Sequence, residues 1–205
     1  MLEVVDLECR RGDRRLFSGL NFALAEGTLL HLQGANGSGK TTLQRAICGL
    51  LLPQEGEIRW NGESIRSLKE EYCRDVVYLG HLNGIKNDLT GLENLRISAT
   101  LDGDAIHDDQ LWDALKRMGL TGFEDLPTKV LSQGQKKRVA LARLLLSGAK
   151  LWVLDEPFVG LDVHAVELLQ SLIAKHVAEG GMVILTTHQE VALTSGQIQR
   201  LRLEG

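Results

Sequence analysis

The sequence of 205 residues is poor in cysteine and proline, with three of each, and it has no long apolar run. Cys9, Cys48 and Cys73 are scattered and lack CxxC spacing, which argues against a zinc site or a disulfide framework and indicates a reducing compartment. No stretch approaches the roughly 18 apolar residues of a membrane-spanning helix. The N-terminal residues lack the basic start and apolar core of a signal peptide. We therefore expect a soluble, cytoplasmic chain that reaches any membrane only through a partner.

An excess of positive charge is also absent. The chain has 23 lysines and arginines against 27 aspartates and glutamates, so its formal net charge is −4. A broad positive field is not expected, and nucleic acid is not the default partner. Two basic clusters remain, in ECRRGDRR (8–15) and KKR (136–138), and we interpret both as solvated faces.

The chain does contain an alternation of strand-like and helix-like segments. Strand patterns occur at LEVVDLECR, LNFALAEG and TLLHLQG, and Asn61-Gly62 predicts a hairpin. Residues 86–147 carry amphipathic helical patterns, which predict a helical lobe inserted into a strand-rich core. Apolar strands resume at KLWVLDE and GMVILTTH, and a short helix is expected between GMVILTTH and QIQRLRLEG. Runs such as WVL and MVILT suit a parallel sheet that helices cover.

The most informative motif is GANGSGKTT, which fits the phosphate-loop pattern G-x-x-x-x-G-K-[ST] between a strand and a helix. Its glycines let backbone N–H groups point at a phosphate chain, and the helix N-terminus adds a favourable dipole. Lys40 would reach the β- and γ-phosphates, and the Thr41 hydroxyl would be offered to Mg²⁺. The alternative is a glycine-rich turn that only opens a helix, and the strand–loop–helix context favours a nucleotide site. The candidate ATP-binding residues are Gly34, Ala35, Asn36, Gly37, Ser38, Gly39, Lys40, Thr41 and Thr42.

These patterns predict the α/β fold class. We expect a P-loop NTPase core, with a mixed and mainly parallel sheet, helices on both of its faces and N-terminal antiparallel strands. Residues 1–205 would form a single ATPase domain that contains a helical subdomain at about 86–147.

A second acidic site follows in KLWVLDEP (150–157), an apolar strand that ends in two carboxylates. Ligands of parallel sheets bind at the carboxyl ends of the strands. Asp155 there suits an Mg²⁺ ligand that acts through water, and Glu156 could orient or deprotonate the attacking water. A solvent-facing acidic turn is the alternative, and the presence of the phosphate loop counts against it.

The segment LSQGQKKRVALARLLL (131–146) predicts a long amphipathic helix with Ser132 as its N-cap. A helix start that displays Ser132 and the backbone of Gly134 is a second anion site, separate from the phosphate loop. Two anion sites and one nucleotide suggest a dimer with ATP held between the chains.

LSQGQ resembles the signature sequence of the ATP-binding-cassette ATPases, and the resemblance covers nearly the whole chain. The order of the motifs also matches, because VGLD (159–162) resembles the D-loop and TTHQ (186–189) the switch histidine loop. The resemblance implies that Ser132, Gly134 and Gln135 of one subunit close over the γ-phosphate in its partner. It also implies that His188 contacts this phosphate and that Asp162 crosses the dimer interface. Lys40, Glu156 and His188 are therefore the candidate catalytic residues.

The chain departs from this family at two positions. Counted back from LTGLENL, His81 stands where the family has a glutamine that reaches Mg²⁺ and leads to the partner-facing lobe. His81 could contact Mg²⁺ through water, or it could contact the partner. Arg11 stands near the position of the family's adenine-stacking aromatic residue, and Phe17 is expected in the core.

LFSGLNFALAEG, YLGH with NGIKNDLTGLENL, and VILTTHQ are similar to the ATP-binding subunits of cytochrome c maturation exporters. This similarity implies a homodimer that uses ATP and Mg²⁺ and binds integral membrane subunits at the cytoplasmic face of the bacterial inner membrane. Its hydrolysis of ATP would release haem to a periplasmic haem chaperone, with no haem ligand in this chain. The alternatives are a subunit of another exporter or importer, and a soluble cassette that acts on ribosomes or DNA.

Overall fold

The computed structural model describes residues 1–103, 106–188 and 196–204. The strands are β1 (Leu2–Arg11), β2 (Arg14–Leu24), β3 (Thr28–Gly34), β4 (Glu55–Trp60), β5 (Glu63–Ser64), β6 (Val76–Leu79), β7 (Leu151–Asp155), β8 (Met182–Thr186) and β9 (Gln197–Leu203). The helices are α1 (Lys40–Ile47), α2 (Ile65–Leu68), α3 (Glu70–Arg74), α4 (Gly91–Asp102), α5 (Asp108–Arg117), α6 (Gln133–Leu146) and α7 (Val163–Ala178), with a 3-10 turn at Thr128–Val130.

Five strands form a parallel sheet in the order β6-β7-β8-β3-β9. Every residue of β7 and β8 is buried, which is why both read as unbroken apolar runs in the sequence. This order places the carboxyl ends of β3, β7 and β8, which carry the predicted motifs, along one edge of the sheet.

The antiparallel strands form a separate sheet in the order β2-β1-β4-β5. The predicted hairpin is present, since Trp60 pairs with Glu63 across Asn61 and Gly62. Both turn residues have positive φ, 52° and 85°, as a tight two-residue hairpin requires. One apolar core packs between this sheet, α1 and one face of the parallel sheet, and a second core covers the other face with residues of α4, α5, α6 and α7.

The helical patterns of the predicted lobe correspond to α4, α5 and α6, which pack against one another. Thr90 and Ser132 cap α4 and α6, and each cap forms a reciprocal pair of hydrogen bonds with the residue three positions on. The description of this region as a subdomain of a single domain stays a prediction. The short helix expected before β9 falls on residues 189–195, outside the described residues. Within the described ranges, no helix has the length and apolar character needed to cross a membrane.

His176 of α7 stacks on Trp152 of β7, with ring centroids 3.9 Å apart and an interplanar angle of 6°. Burial lowers the pKa of His176, which favours its neutral form. The indole Nε1 of Trp152 and the imidazole Nε2 of His176 are buried without a hydrogen-bond partner among the described residues. Backbone groups of Lys150 and Met182 and the charge of Glu179 favour protonation of His176, and they only partly offset the effect of burial on its pKa.

We expect the free energy of unfolding to decrease as the pH falls from about 7.5 to about 5.5, through the usual histidine pKa, because the unfolded chain then binds a proton that His176 resists. His176→Phe keeps the stack on Trp152 and should reduce this pH dependence. Urea denaturation at the two pH values measures the effect. The matched control is His164→Gln, since the His164 side chain lies on the same helix and is 97% exposed. Equal pH dependence in His176→Phe and the unmodified chain would contradict the assignment.

Candidate nucleotide site

The phosphate loop joins β3 to α1 in a conformation that needs glycine. Gly39 precedes the first residue of α1 with φ of 102°, and Gly37 has φ of 82°. A Cβ at Gly39 would lie 3.0 Å from the Phe17 ring and 3.1 Å from the Leu16 side chain. The loop is therefore packed directly against the antiparallel sheet, and Phe17 belongs to the core as expected.

The Lys40 side chain folds back over the loop. Its Nζ donates to the carbonyl oxygen of Gly34 at 2.7 Å and to that of Ala35 at 3.1 Å. The Ser38 N–H donates to the same Ala35 carbonyl at 3.1 Å. These bonds close the loop and hold a cation over it, beside the N-terminus of α1, which suits a bound phosphate chain.

Asp155 is buried at the end of β7, and both of its carboxylate oxygens accept hydrogen bonds. The hydroxyl of Thr41, in the first turn of α1, donates to Oδ2 at 2.9 Å. The hydroxyl of Thr186, at the end of β8, donates to Oδ1 at 2.7 Å. The carboxylate therefore connects the phosphate loop to two strands of the sheet.

Glu156 turns away from the strand because its φ is 49°, in the left-handed region. Its N–H donates to the carbonyl oxygen of Thr186 at 3.2 Å and to the hydroxyl at 3.0 Å. Its Oε1 lies 3.4 Å from Nε2 of His188, and its side chain is 17% exposed. This arrangement places a carboxylate and an imidazole together beside the phosphate loop.

These elements surround one cavity of about 500 Å³. Its wall includes, among the residues proposed from the sequence, Asn36, Gly37, Gly39, Lys40, Thr41, Thr42, His81, Asp155, Glu156 and His188. Arg11 also lines it, together with Val159, the first residue of the VGLD motif, and Leu16, for which no sequence motif provides a signal. Gly34, Ala35 and Ser38 belong to the same loop without lining the cavity.

The signature residues lie apart from this cavity in the same chain. The hydroxyl of Ser132 accepts from the Gln135 N–H at 3.2 Å, and the Gln135 side chain accepts from the Ser132 N–H at 2.8 Å. A Cβ at Gly134 would lie 3.0 Å from the carbonyl oxygen of Gly160, so the start of α6 packs closely on the D-loop.

Asp162 makes two interactions that fix the D-loop. Its Oδ1 accepts from the Ala165 N–H at 2.9 Å and so caps α7. Its Oδ2 forms an ion pair with Arg138 of α6. Ser132 and Asp162 are exposed, so the start of α6 and the end of the D-loop form one continuous surface, and neither Ser132 nor Asp162 lines the cavity.

Two residues near the site are placed in ways that their sequence motifs do not indicate. Thr186 belongs to the switch motif in the sequence, yet it also holds Asp155 and Glu156 because it pairs with Asp155 in the sheet register. The interpretation of Lys137 as part of a solvated face is wrong, because Lys137 is 7% exposed. Burial lowers the pKa of Lys137, while Asp155 and Glu156 oppose this shift.

Comparison with known proteins identifies the family of this chain. The sequence pattern of the family described as ABC transporter matches residues 17–159. A Nitrosospira multiformis protein named cytochrome c biogenesis ATP-binding export protein CcmA is 57% identical over 202 residues, which cover 98% of each chain. A protein of the same name from Nitrosomonas europaea is 55% identical over 203 residues, which cover 99% of this chain and 95% of that protein.

Solved structures support the fold. A dimeric ATP-binding cassette, described as a post-hydrolysis state bound to ADP and Pi, aligns with a TM-score of 0.85 over 100% of this chain and 97% of that one, at 24% identity. At this identity the alignment is evidence for the fold alone. The predicted P-loop NTPase fold is confirmed.

Lys40→Ala should lower the rate of phosphate release from ATP by at least about 100-fold, because the charge that faces the phosphates is removed from a preorganised loop. A colorimetric phosphate assay with saturating ATP measures this. Lys116→Ala, at an exposed position of α5, is the control and should hydrolyse ATP at the unmodified rate. Unchanged turnover in Lys40→Ala would contradict the assignment of the site.

Proposed function

Because this chain belongs to the ABC transporter family, we propose that it is the ATP-hydrolysing subunit of a membrane complex for cytochrome c biogenesis. One observation carries the proposal. The relatives named as cytochrome c biogenesis ATP-binding export proteins are similar over nearly their whole length, at 57% and 55% identity. The same observation favours this role over another exporter or importer, and over a soluble cassette that acts on ribosomes or DNA.

The phosphate loop is the proposed binding site of the triphosphate. Backbone N–H groups of residues 36–42 and the Lys40 ammonium would contact the β- and γ-phosphates. The donor set beside them fits Mg²⁺, since the Thr41 hydroxyl and the Asp155 carboxylate converge at 2.9 Å and both are hard oxygen ligands. When bound, Mg²⁺ would neutralise charge on the β- and γ-phosphate oxygens.

Residues 1–205 would act as one domain, with residues 86–147 as its helical subdomain.

Glu156 is the proposed general base for the attacking water. Its carboxylate lines the cavity and is held at its backbone by two bonds to Thr186. His188 lies on the open side of this carboxylate and is 67% exposed, so its imidazole can reach the γ-phosphate.

A second copy of the chain would complete the site. Ser132, Gly134, Gln135 and Asp162 do not line the cavity of their own chain, and the surface that they form is flanked by exposed Val159 and Val163. A dimer would place the N-terminus of α6 over the γ-phosphate in the partner and cover these valines.

His81 is the proposed link between the cavity and the membrane partner. It follows β6, lines the cavity, and precedes the helices of the lobe. We propose that its imidazole contacts a water ligand of Mg²⁺, and a contact with the membrane subunit is the other role that its exposed position allows. The chain would lie at the cytoplasmic face of the bacterial inner membrane, where hydrolysis releases haem to a periplasmic chaperone.

Glu156→Gln should retain ATP and lower turnover by about 100-fold or more, since an amide cannot accept the proton of the attacking water. Retained ATP should keep two chains together, so gel filtration with ATP and Mg²⁺ should show a dimer. Glu167→Gln, at an exposed position of α7, is the control and should behave as the unmodified chain. A Glu156→Gln variant that stays monomeric with ATP would contradict the proposal.

Deletion of the gene should abolish covalent c-type cytochromes, because the proposed complex could not deliver haem. Haem staining of gels measures the cytochromes, the unmodified gene should restore them, and Lys40→Ala should not. Normal cytochrome levels in the deletion strain would contradict the role in cytochrome c biogenesis. Co-purification with a permease for an unrelated solute would also contradict it.

A further inference from the structure

Lys137 is buried although it lies within a run of three cations. The three side chains point in different directions. Lys136 donates to the side chain of Asn87 at 3.4 Å, and Arg138 forms its ion pair with Asp162. Lys137 is 7% exposed. The free-energy cost of burying its charge must therefore be offset by its surroundings, which is not required of a surface lysine.

The position of Lys137 on α6 explains its burial. Lys137, Leu141 and Leu144 are spaced at i, i+4 and i+7, so they share one face of the helix. Leu141 and Leu144 pack in the core that contains Leu79 of β6 and Leu154 of β7. The Lys137 side chain therefore leaves the helix on the side that faces the parallel sheet.

The short connection between α6 and β7 determines which part of the sheet Lys137 faces. Because only residues 147–150 join them, the helix runs back along the strand. Lys137 lies about 13 Å before the end of α6, at about 1.5 Å per residue. Asp155 lies about 13 Å beyond the start of β7, at about 3.3 Å per residue. Lys137 is therefore level with the end of the strand, where Asp155 and Glu156 lie.

These two carboxylates have few other charged partners. Asp155 accepts from two neutral hydroxyls, and Glu156 lies near the imidazole of His188. In the described part of the chain, neither forms an ion pair with an arginine or a lysine. Asp155 and Glu156 are the groups that favour the charged form of Lys137. Adjacent carboxylates at a buried strand end repel each other, and a cation on the facing helix offsets this repulsion.

We propose that Lys137 is a positioning residue for ATP hydrolysis, because its buried ammonium, beyond ion-pair distance of both carboxylates, offsets the charge of Asp155 and Glu156 and couples Glu156 to the helix that begins after Ser132. The inference rests on the proposed role of Glu156 as the base. Ser132 and Lys137 are separated by little more than one helical turn. A shift of the signature end of α6 therefore changes the field at Glu156 in the same chain.

Lys137→Met removes the charge and keeps the length of the apolar stem. Outer-shell partners of metal ligands are worth roughly 10- to 100-fold in activity. By analogy, we expect kcat to fall roughly tenfold or more while KM for ATP stays within about twofold. Lys137→Arg, which retains the charge, should restore most of the rate. Lys136→Met is the matched control on the surface of the same helix and should match the unmodified chain. Lys137→Gln replaces Lys137→Met if that variant does not fold.

A second measurement, of thermal stability, does not depend on ATP hydrolysis. The thermal midpoints of the unmodified chain, Lys137→Met, Glu156→Gln and the double variant are compared in EDTA without nucleotide. We expect Lys137→Met to shift the midpoint less in the Glu156→Gln background, because the charge it interacts with is gone. Equal shifts in both backgrounds, with an unchanged kcat, would show that Lys137 only packs and would overturn the inference. Normal turnover in Glu156→Gln would instead overturn the proposed role of Glu156.

Discussion

The site depends on the two hydrogen bonds that the Asp155 carboxylate accepts. One comes from Thr41 at the start of α1 and the other from Thr186 at the end of β8. A buried carboxylate is costly unless such donors satisfy it, so the three elements are held at fixed distances from each other. The buried Gln44 side chain adds a second connection, because it donates from α1 to the Leu154 carbonyl oxygen at 3.1 Å. The phosphate loop and the carboxylates thereby form one rigid edge of the sheet.

Much of this edge can be predicted from the sequence, because its motifs are local. The phosphate loop, the acidic strand end and the Ser132 cap each depend on a few adjacent residues whose spacing reflects a turn or a helix start. The alternation of apolar strands and amphipathic helices likewise predicts the α/β class. The role of Thr186 as a hydrogen-bond donor to Asp155 cannot be predicted from a local motif, since this contact depends on the order of β7 and β8 in the sheet.

The remaining differences between expectation and structure concern the direction in which a side chain or the backbone points. The residue composition does not encode that direction. Three adjacent cations suggest a solvated face, yet Lys137 lies on the helix face shared with Leu141 and Leu144. That spacing is visible in the sequence and indicates its burial. The positive φ of Glu156 leaves no comparable signal, because a non-glycine residue seldom adopts it. Tertiary structure imposes that conformation.

The short connection between α6 and β7 has a consequence for how this sequence can diverge. An inserted residue is tolerated where a loop can bulge into solvent without moving the elements that it joins. At residues 147–150 an insertion would slide α6 along β7 and bring a different side chain level with Asp155. Changes of length are therefore expected to accumulate elsewhere, as at the exposed turn of Gly122, where a Cβ would meet no other atom within 4 Å. The stretch from Ser132 to Glu156 is therefore expected to keep a constant length.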